Sequence, residues 1–134
     1  MKQNFSTSWK SSKQPRKQRK YIANAPLHTR RKFLSSTLSK ELRKKYKGRS
    51  IPVRSGDKVK ILRGQFKKKE GKVIKIDTKR LKVHIEAIQL VKKDGSKAFY
   101  PIHPSNLSIL ELNMEDKERK KSLEHGTPKK TESA

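Results

Sequence analysis

Ile51-Pro52-Val53-Arg54-Ser55-Gly56-Asp57-Lys58-Val59-Lys60-Ile61-Leu62-Arg63-Gly64-Gln65-Phe66-Lys67-Lys68-Lys69-Glu70-Gly71-Lys72-Val73-Ile74-Lys75-Ile76-Asp77, followed after a short turn by Arg80-Leu81-Lys82-Val83-His84-Ile85-Glu86, is the stretch that decides the fold. Apolar residues alternate with lysine at a period of two, and glycines stand at the bends. That period turns one apolar face inward and one basic face outward on each strand. Val59 and Ile61 face in from the first strand. Leu81, Val83 and Ile85 face in from the third, while Lys82, His84 and Glu86 point out. Val73, Ile74 and Ile76 cannot all share one face, so the second strand needs a bulge. Gly71, just before that strand's apolar run, reads as a bend or bulge position. Three such strands suit a small, strongly bent antiparallel sheet.

Working outward, Ile88 and Leu90 continue the alternation as a fourth strand. Asp94-Gly95, between Lys92-Lys93 and Lys97, is a strong hairpin turn. Residues 98–102 return, with Pro101 restricting them to an edge, and residues 106–112 supply the last strand. The expected fold is mainly β: a small, strongly bent antiparallel barrel over residues 51–112, with a basic N-terminal arm, short helices and a C-terminal helical tail. A barrel of this size buries only about 60% of its unfolded surface and is marginal alone.

Residues 24–50 read as mostly helical and basic. Leu27, Arg30, Arg31 and Leu34 fit a turn or two after Pro26. Ser39 can cap a second helix, with Glu41 near its positive end. Leu38, Leu42 and Tyr46 then form one apolar stripe, for the barrel or for RNA sugar faces, and Gly48 ends the helix. Residues 1–23 are polar and basic with no hydrophobic period, an arm expected to be disordered in isolation and ordered on RNA. Its Trp9 and Tyr21 can stack on bases or dock on a protein neighbour. Residues 113–134 mix signs. Glu115 with Arg119 and Asp116 with Lys120 suggest i, i+4 pairs on a short helix. Gly126-Thr127-Pro128 ends it, before a disordered remainder.

Among 134 residues the formal net charge is +25, with a pI near 10.6. It divides as +15 over residues 1–50, +9 over 51–112 and +1 over 113–134. Such a surplus repels itself unless a polyanion neutralises it, and nucleic acid is the usual partner. No stretch offers a strongly apolar helix face for lipid or a run long enough to span a bilayer, and the N-terminus does not read as a secretory signal. With no cysteine, disulfides and cysteine zinc sites are excluded. His28, His84, His103 and His125 show no metal-ligand spacing. Asp57, Glu70, Asp77, Glu86, Asp94 and Glu111 sit singly at strand ends and turns, so neither an enzyme site, a cofactor nor a small-molecule substrate is expected.

Gly56-Asp57-x-Val59 with Gly64-x-x-Lys67-x-x-Glu70-Gly71-Lys72-Val73 resembles a KOW motif, a resemblance that implies an SH3-like barrel over residues 51–112. Ala25-Pro26-Leu27-His28-x-Arg30, Leu38-Ser39-x-Glu41-Leu42-Arg43-x-x-Tyr46, Arg49-Ser50-Ile51-Pro52-Val53-Arg54 and His103-Pro104-Ser105-Asn106-Leu107 extend the likeness. Over roughly residues 13–123 the chain resembles the archaeal and eukaryotic branch of the KOW-type ribosomal proteins of the large subunit. Lys68 stands where that family usually has glycine. The resemblance implies a structural role in the cytoplasmic ribosome, bound to the 5′ region of large-subunit rRNA early in assembly. It also implies a place near the polypeptide exit tunnel, beside neighbouring ribosomal proteins and docking factors. A KOW-type transcription elongation factor is the alternative, although the 50 preceding residues are too few and too basic for the mixed α/β domain such factors carry. A peptide-binding SH3-like adaptor would need an aromatic groove, for which only Phe66, Phe99 and Tyr100 are at hand.

The candidate RNA-binding residues follow from these segments. In the arm they are Lys13, Arg16, Lys17, Arg19 and Lys20; in the helical segment Arg30, Arg31, Lys32, Arg43, Lys44, Lys47 and Arg49. Arg54 follows, then the first loop tip with Arg63, Lys67, Lys68 and Lys69, then Lys72. Lys79 and Arg80 form the second tip, and the third spans residues 92–97. His103, Ser105 and Asn106 complete the set. Arginine forks onto phosphate or stacks on a base, and lysine acts as a point charge. No metal ligand is among them.

Overall fold

The computed structural model describes residues 5–9 and 12–125. Seven strands form one bent sheet: β1 (Ser35–Leu38), β2 (Ser50–Pro52), β3 (Lys58–Ile61), β4 (Glu70–Asp77), β5 (Lys82–Val91), β6 (Lys97–Ile102) and β7 (Leu107–Glu111). Their order across the sheet is β2-β1-β7-β3-β4-β5-β6. All pairings are antiparallel except β1 with β7. Helices α1 (Pro15–Asn24), α2 (Leu27–Phe33), α3 (Lys40–Tyr46) and α4 (Lys117–His125) flank the sheet. The fold is mainly β and SH3-like.

The inward faces enclose one core. Val59, Ile61, Val73, Val83, Ile85, Ile88, Leu107 and Ile109 lie within it with almost no exposure, joined by Leu38, Ile51 and Val53. Each such side chain contributes roughly 1.5–3 kcal/mol by leaving water. The register between β4 and β5 shifts between Val73 and Lys75. That bulge leaves Val73 buried and Ile74 45% exposed, which resolves the conflict among Val73, Ile74 and Ile76. β6 is an edge strand, as Pro101 requires.

Five expectations change. Gly71 is not at a bend; it lies within β4 opposite Val59. A Cβ there would stand 2.6 Å from Ile85 Cγ2 and 3.2 Å from Ala87 Cβ, so its bareness makes room for a core isoleucine. The third and fourth strands are one ten-residue strand, β5, whose inward phase slips between Ile85 and Ile88. Leu90 consequently ends 43% exposed. The segment before the barrel is not all helix, because β1 joins the sheet. Leu34, Ser36 and Leu38 alternate inward there, and Ser36 Oγ donates to the Pro104 carbonyl at 2.7 Å in the interior. Leu38 therefore belongs to a strand, while Leu42 and Tyr46 of α3 pack on the core from outside. At the end of α3 it is Lys47, with φ +51, that takes the left-handed position, not Gly48. Ser39 caps the other end, accepting from the Leu42 N–H.

The fifth change concerns α4. Neither Glu115–Arg119 nor Asp116–Lys120 forms as a side-chain pair. Arg119 instead reaches into the barrel and grips Asp57 with both arms, Nη1 to Oδ1 at 2.6 Å and Nη2 to Oδ2 at 2.7 Å. Both side chains are buried, 3% and 0% exposed. Asp57 also accepts from the backbone N–H groups of Arg54 and Asn113, at 2.9 and 2.8 Å. Arg119 also donates to the carbonyls of Asn113 and Pro52. Burying a charge is costly unless it is paired and hydrogen-bonded, and this one is both. Asp116 meets Arg54 instead. Gly56, at φ +92, leaves space for the Asn113 side chain at this junction. Leu123 then completes the core from α4. The expected terminator, Gly126-Thr127-Pro128, lies outside the described residues. Among the described residues no helix is long and apolar enough to cross a membrane.

Candidate nucleic-acid interface

Residues 12–34 hold eight cations and no acid. Where the sequence offered no hydrophobic period, Pro15 at the first helical position starts α1, a helix with no buried residue. Along it Arg16 lies one turn from Arg19 and Lys20, like charges that repel at this spacing. A short helix that is polar on nearly every side and self-repelling needs an outside partner of opposite sign. Its inner anchor is aromatic. Tyr21 packs against Phe5, Trp9 and Phe33 at centroid distances of 4.8, 4.9 and 5.9 Å. Arg30 of α2 donates to the Ala23 carbonyl, tying the two helices together. Lys13, Arg16, Lys17, Arg19, Lys20, Arg31 and Lys32 are exposed. Among the described residues no ion pair engages any of them.

The loop tips follow from hairpin chemistry. Residues 62–69 join β3 to β4, and Arg63, Lys67, Lys68 and Lys69 are exposed on them. Lys68 adopts φ +71, a left-handed conformation that glycine adopts without steric cost. Lys69 Nζ sits over the Phe66 ring, which packs against Tyr100 of β6. At the β4–β5 turn Asp77 Oδ1 accepts the N–H groups of Lys79 and Arg80. Those bonds, Arg80's foremost, hold its carboxyl below the usual range. Asp94 is likewise lowered, first by the Ser96 hydroxyl, in the β5–β6 turn.

The tips do not make one surface. Arg63 meets His103 and Asn106 around a cavity of about 170 Å³, beside Lys82. Arg31 and Arg54 instead share a groove of about 420 Å³ with Thr78 of the β4–β5 turn. His103 accepts at Nδ1 from the Ser105 N–H, capping the 3-10 turn Pro104–Asn106. Burial, and then the charge of Lys82, lower its pKa. Arg43, Lys44, Lys47, Arg49 and Lys72 are exposed away from these cavities, with Arg43 Nε bound to the Leu38 carbonyl. Arg54 is partly committed to Asp116. Sequence reasoning missed the Asp57–Arg119 lock and the four-ring cluster. The only available signal for the cluster was that Phe5, Trp9, Tyr21 and Phe33 punctuate an otherwise polar stretch.

This surface offers separate basic points of the kind that hold phosphates, and among the described residues no acids, bases or nucleophiles converge on it. Among the described residues no three His, Cys, Asp or Glu side chains gather as a metal site. A family model covering the eukaryotic ribosomal proteins L26 and their archaeal L24 counterparts matches residues 12–126. The chain is 50% identical over 119 residues to the large ribosomal subunit protein uL24 of Nanoarchaeum equitans (strain Kin4-M). That alignment covers 89% of this chain and 80% of the relative.

Proposed function

Because the chain belongs to the family of ribosomal proteins known as L26 in eukaryotes and L24 in archaea, it is a structural constituent of the large subunit of the cytoplasmic ribosome, and we propose that it acts there by binding large-subunit rRNA. The observation that carries this is α1, a helix with no buried residue whose cations have no carboxylate partner among the described residues. Double-helical RNA presents phosphates and 2′-hydroxyls rather than a readable major groove, so separated basic points on a rigid barrel read it by shape. Neighbouring ribosomal proteins are the second class of partner. The finer placement is also part of the proposal: the 5′ region of the rRNA, early entry into assembly, and loop tips near the exit tunnel, within reach of docking factors. In this reading the basic arm supplies charge and the barrel supplies position.

The test is the salt dependence of binding to purified large-subunit rRNA. Each neutralised phosphate steepens log affinity against log salt by about 0.7–0.9. Replacing Lys13, Arg16, Lys17, Arg19 and Lys20 together by Gln is therefore expected to flatten the slope by up to about 4. A slope equal to the parent's would reject the arm as an RNA contact.

A further inference from the structure

Between α1 and the barrel lies a cavity of about 490 Å³, lined by Trp9, Tyr21, Phe33, Leu81, Gln18 and His103, among others. It shares no lining residue with the Arg31–Arg54 groove, and His103 lies between it and the smaller cavity beside Arg63. We propose that it is a receptor for one unpaired nucleobase of the bound RNA, stacked on the Tyr21–Trp9 rings. This deepens the rRNA-binding reading and rests on it.

Three features of the cavity carry the argument. First, its walls are aromatic and aliphatic, and its size lies within the range of pockets that hold small heterocycles, about 300–1,000 Å³. Second, it carries placed polar groups of both kinds. Gln18 Nε2 donates to the Ser12 carbonyl at 3.0 Å, which orients the amide and leaves Oε1 as an acceptor. His103 accepts at Nδ1 from the Ser105 N–H at 3.2 Å, so the neutral ring carries its proton on Nε2 as a donor. Burial lowers the pKa of this ring and favours that neutral form. A base edge bears donors and acceptors in the same plane as its apolar face. Third, cations stand beside it: Lys17 and Lys20 line the adjoining cavity of about 300 Å³ that shares Trp9 and Tyr21 with this one, and residues 12–34 hold no acid. A free apolar peptide gains nothing from those cations. A nucleotide stacks its base on the open face of the Tyr21–Trp9 pair and leaves its phosphates toward Lys17 and Lys20. Leu81 adds a local sign of constraint, held buried at φ +56, a backbone conformation that a leucine rarely adopts.

Trp9 is the sole tryptophan of the chain, so the intact protein reports on the pocket by its own fluorescence. The probes are a short single-stranded oligoadenylate and an abasic oligomer of equal length and charge, with occupancy measured separately by gel shift. At matched occupancy the oligoadenylate is expected to quench Trp9 emission and the abasic oligomer to leave it nearly unchanged. Tyr21→Leu preserves bulk but removes the ring. It is expected to weaken oligoadenylate binding between about five- and a hundredfold, the effect of one lost base stack, and to leave abasic binding as it was. Should Tyr21→Leu disturb the helix, Gln18→Ala provides the second variant, expected to weaken the base-bearing oligomer alone. If both oligomers bind equally and Trp9 does not respond, the pocket is overturned while RNA binding stands. Failure of both oligomers where large-subunit rRNA still binds also overturns the pocket. Failure on rRNA as well removes the RNA reading itself.

Discussion

Arg119→Ala is the perturbation on which the packing argument is most exposed. The side chain donates four hydrogen bonds: two to Asp57 and one each to the carbonyls of Asn113 and Pro52. Its partner carboxylate is fully buried and keeps only the backbone N–H groups of Arg54 and Asn113 after truncation. Since neither group of the pair is exposed, solvent screening does not reduce the loss. Breaking a buried pair from one side costs about 3–5 kcal/mol. For a chain of this size that is expected to lower the melting temperature by roughly 10–20 °C. α4 should also detach, because Leu123 is its one described side chain in the hydrophobic core, so limited proteolysis is expected to cut within residues 113–125 of the variant first. Combining Arg119→Ala with Asp57→Asn is expected to cost less than the two single changes added, since the orphaned charge is gone. A variant melting within about 1 kcal/mol of the parent would refute the reasoning, placing the pair among surface salt bridges.

Gly71→Val is expected to destabilise the barrel by about 1–3 kcal/mol through overpacking against Ile85, a β-branched side chain with little freedom to move; a denaturant midpoint equal to the parent's would show that the sheet yields there. Lys68→Gly relieves a left-handed lysine that costs about 1–2 kcal/mol but adds unfolded-state freedom worth about 0.4–1 kcal/mol, so a net gain of roughly 0.5–1 kcal/mol in chemical denaturation is expected. A loss of stability would mean that the turn gains from the lysine itself. His103 should titrate below its ordinary 6.5, chiefly from burial and then from Lys82. The unfolded chain then binds the proton first, so this contribution is complete above pH 6.5 and disappears as pH falls through the lowered folded value. An NMR midpoint at or above 6.5 would contradict it.

What the sequence by itself determined is the local part of this protein. Alternation at a period of two located Val59, Ile61, Val83 and Ile85 on the inner face, since strand side chains can point only two ways. The crowding of Val73, Ile74 and Ile76 required a bulge, and Ser39 announced its cap, because each is settled by neighbours a few residues away. The absence of acid in the first forty residues marked the basic surface, charge being a sum that needs no coordinates. Tertiary structure alone decided the rest. Leu38 fits a helical stripe with Leu42 and Tyr46 as well as it fits a strand, and only the open edge of β7 chooses the strand. Gly71 reads as a bend until Ile85 arrives beneath it. Arg119 has a suitable acid one turn away at Glu115. It takes Asp57 instead, 62 residues distant, because a buried carboxylate with no other countercharge attracts it more strongly than a solvated one.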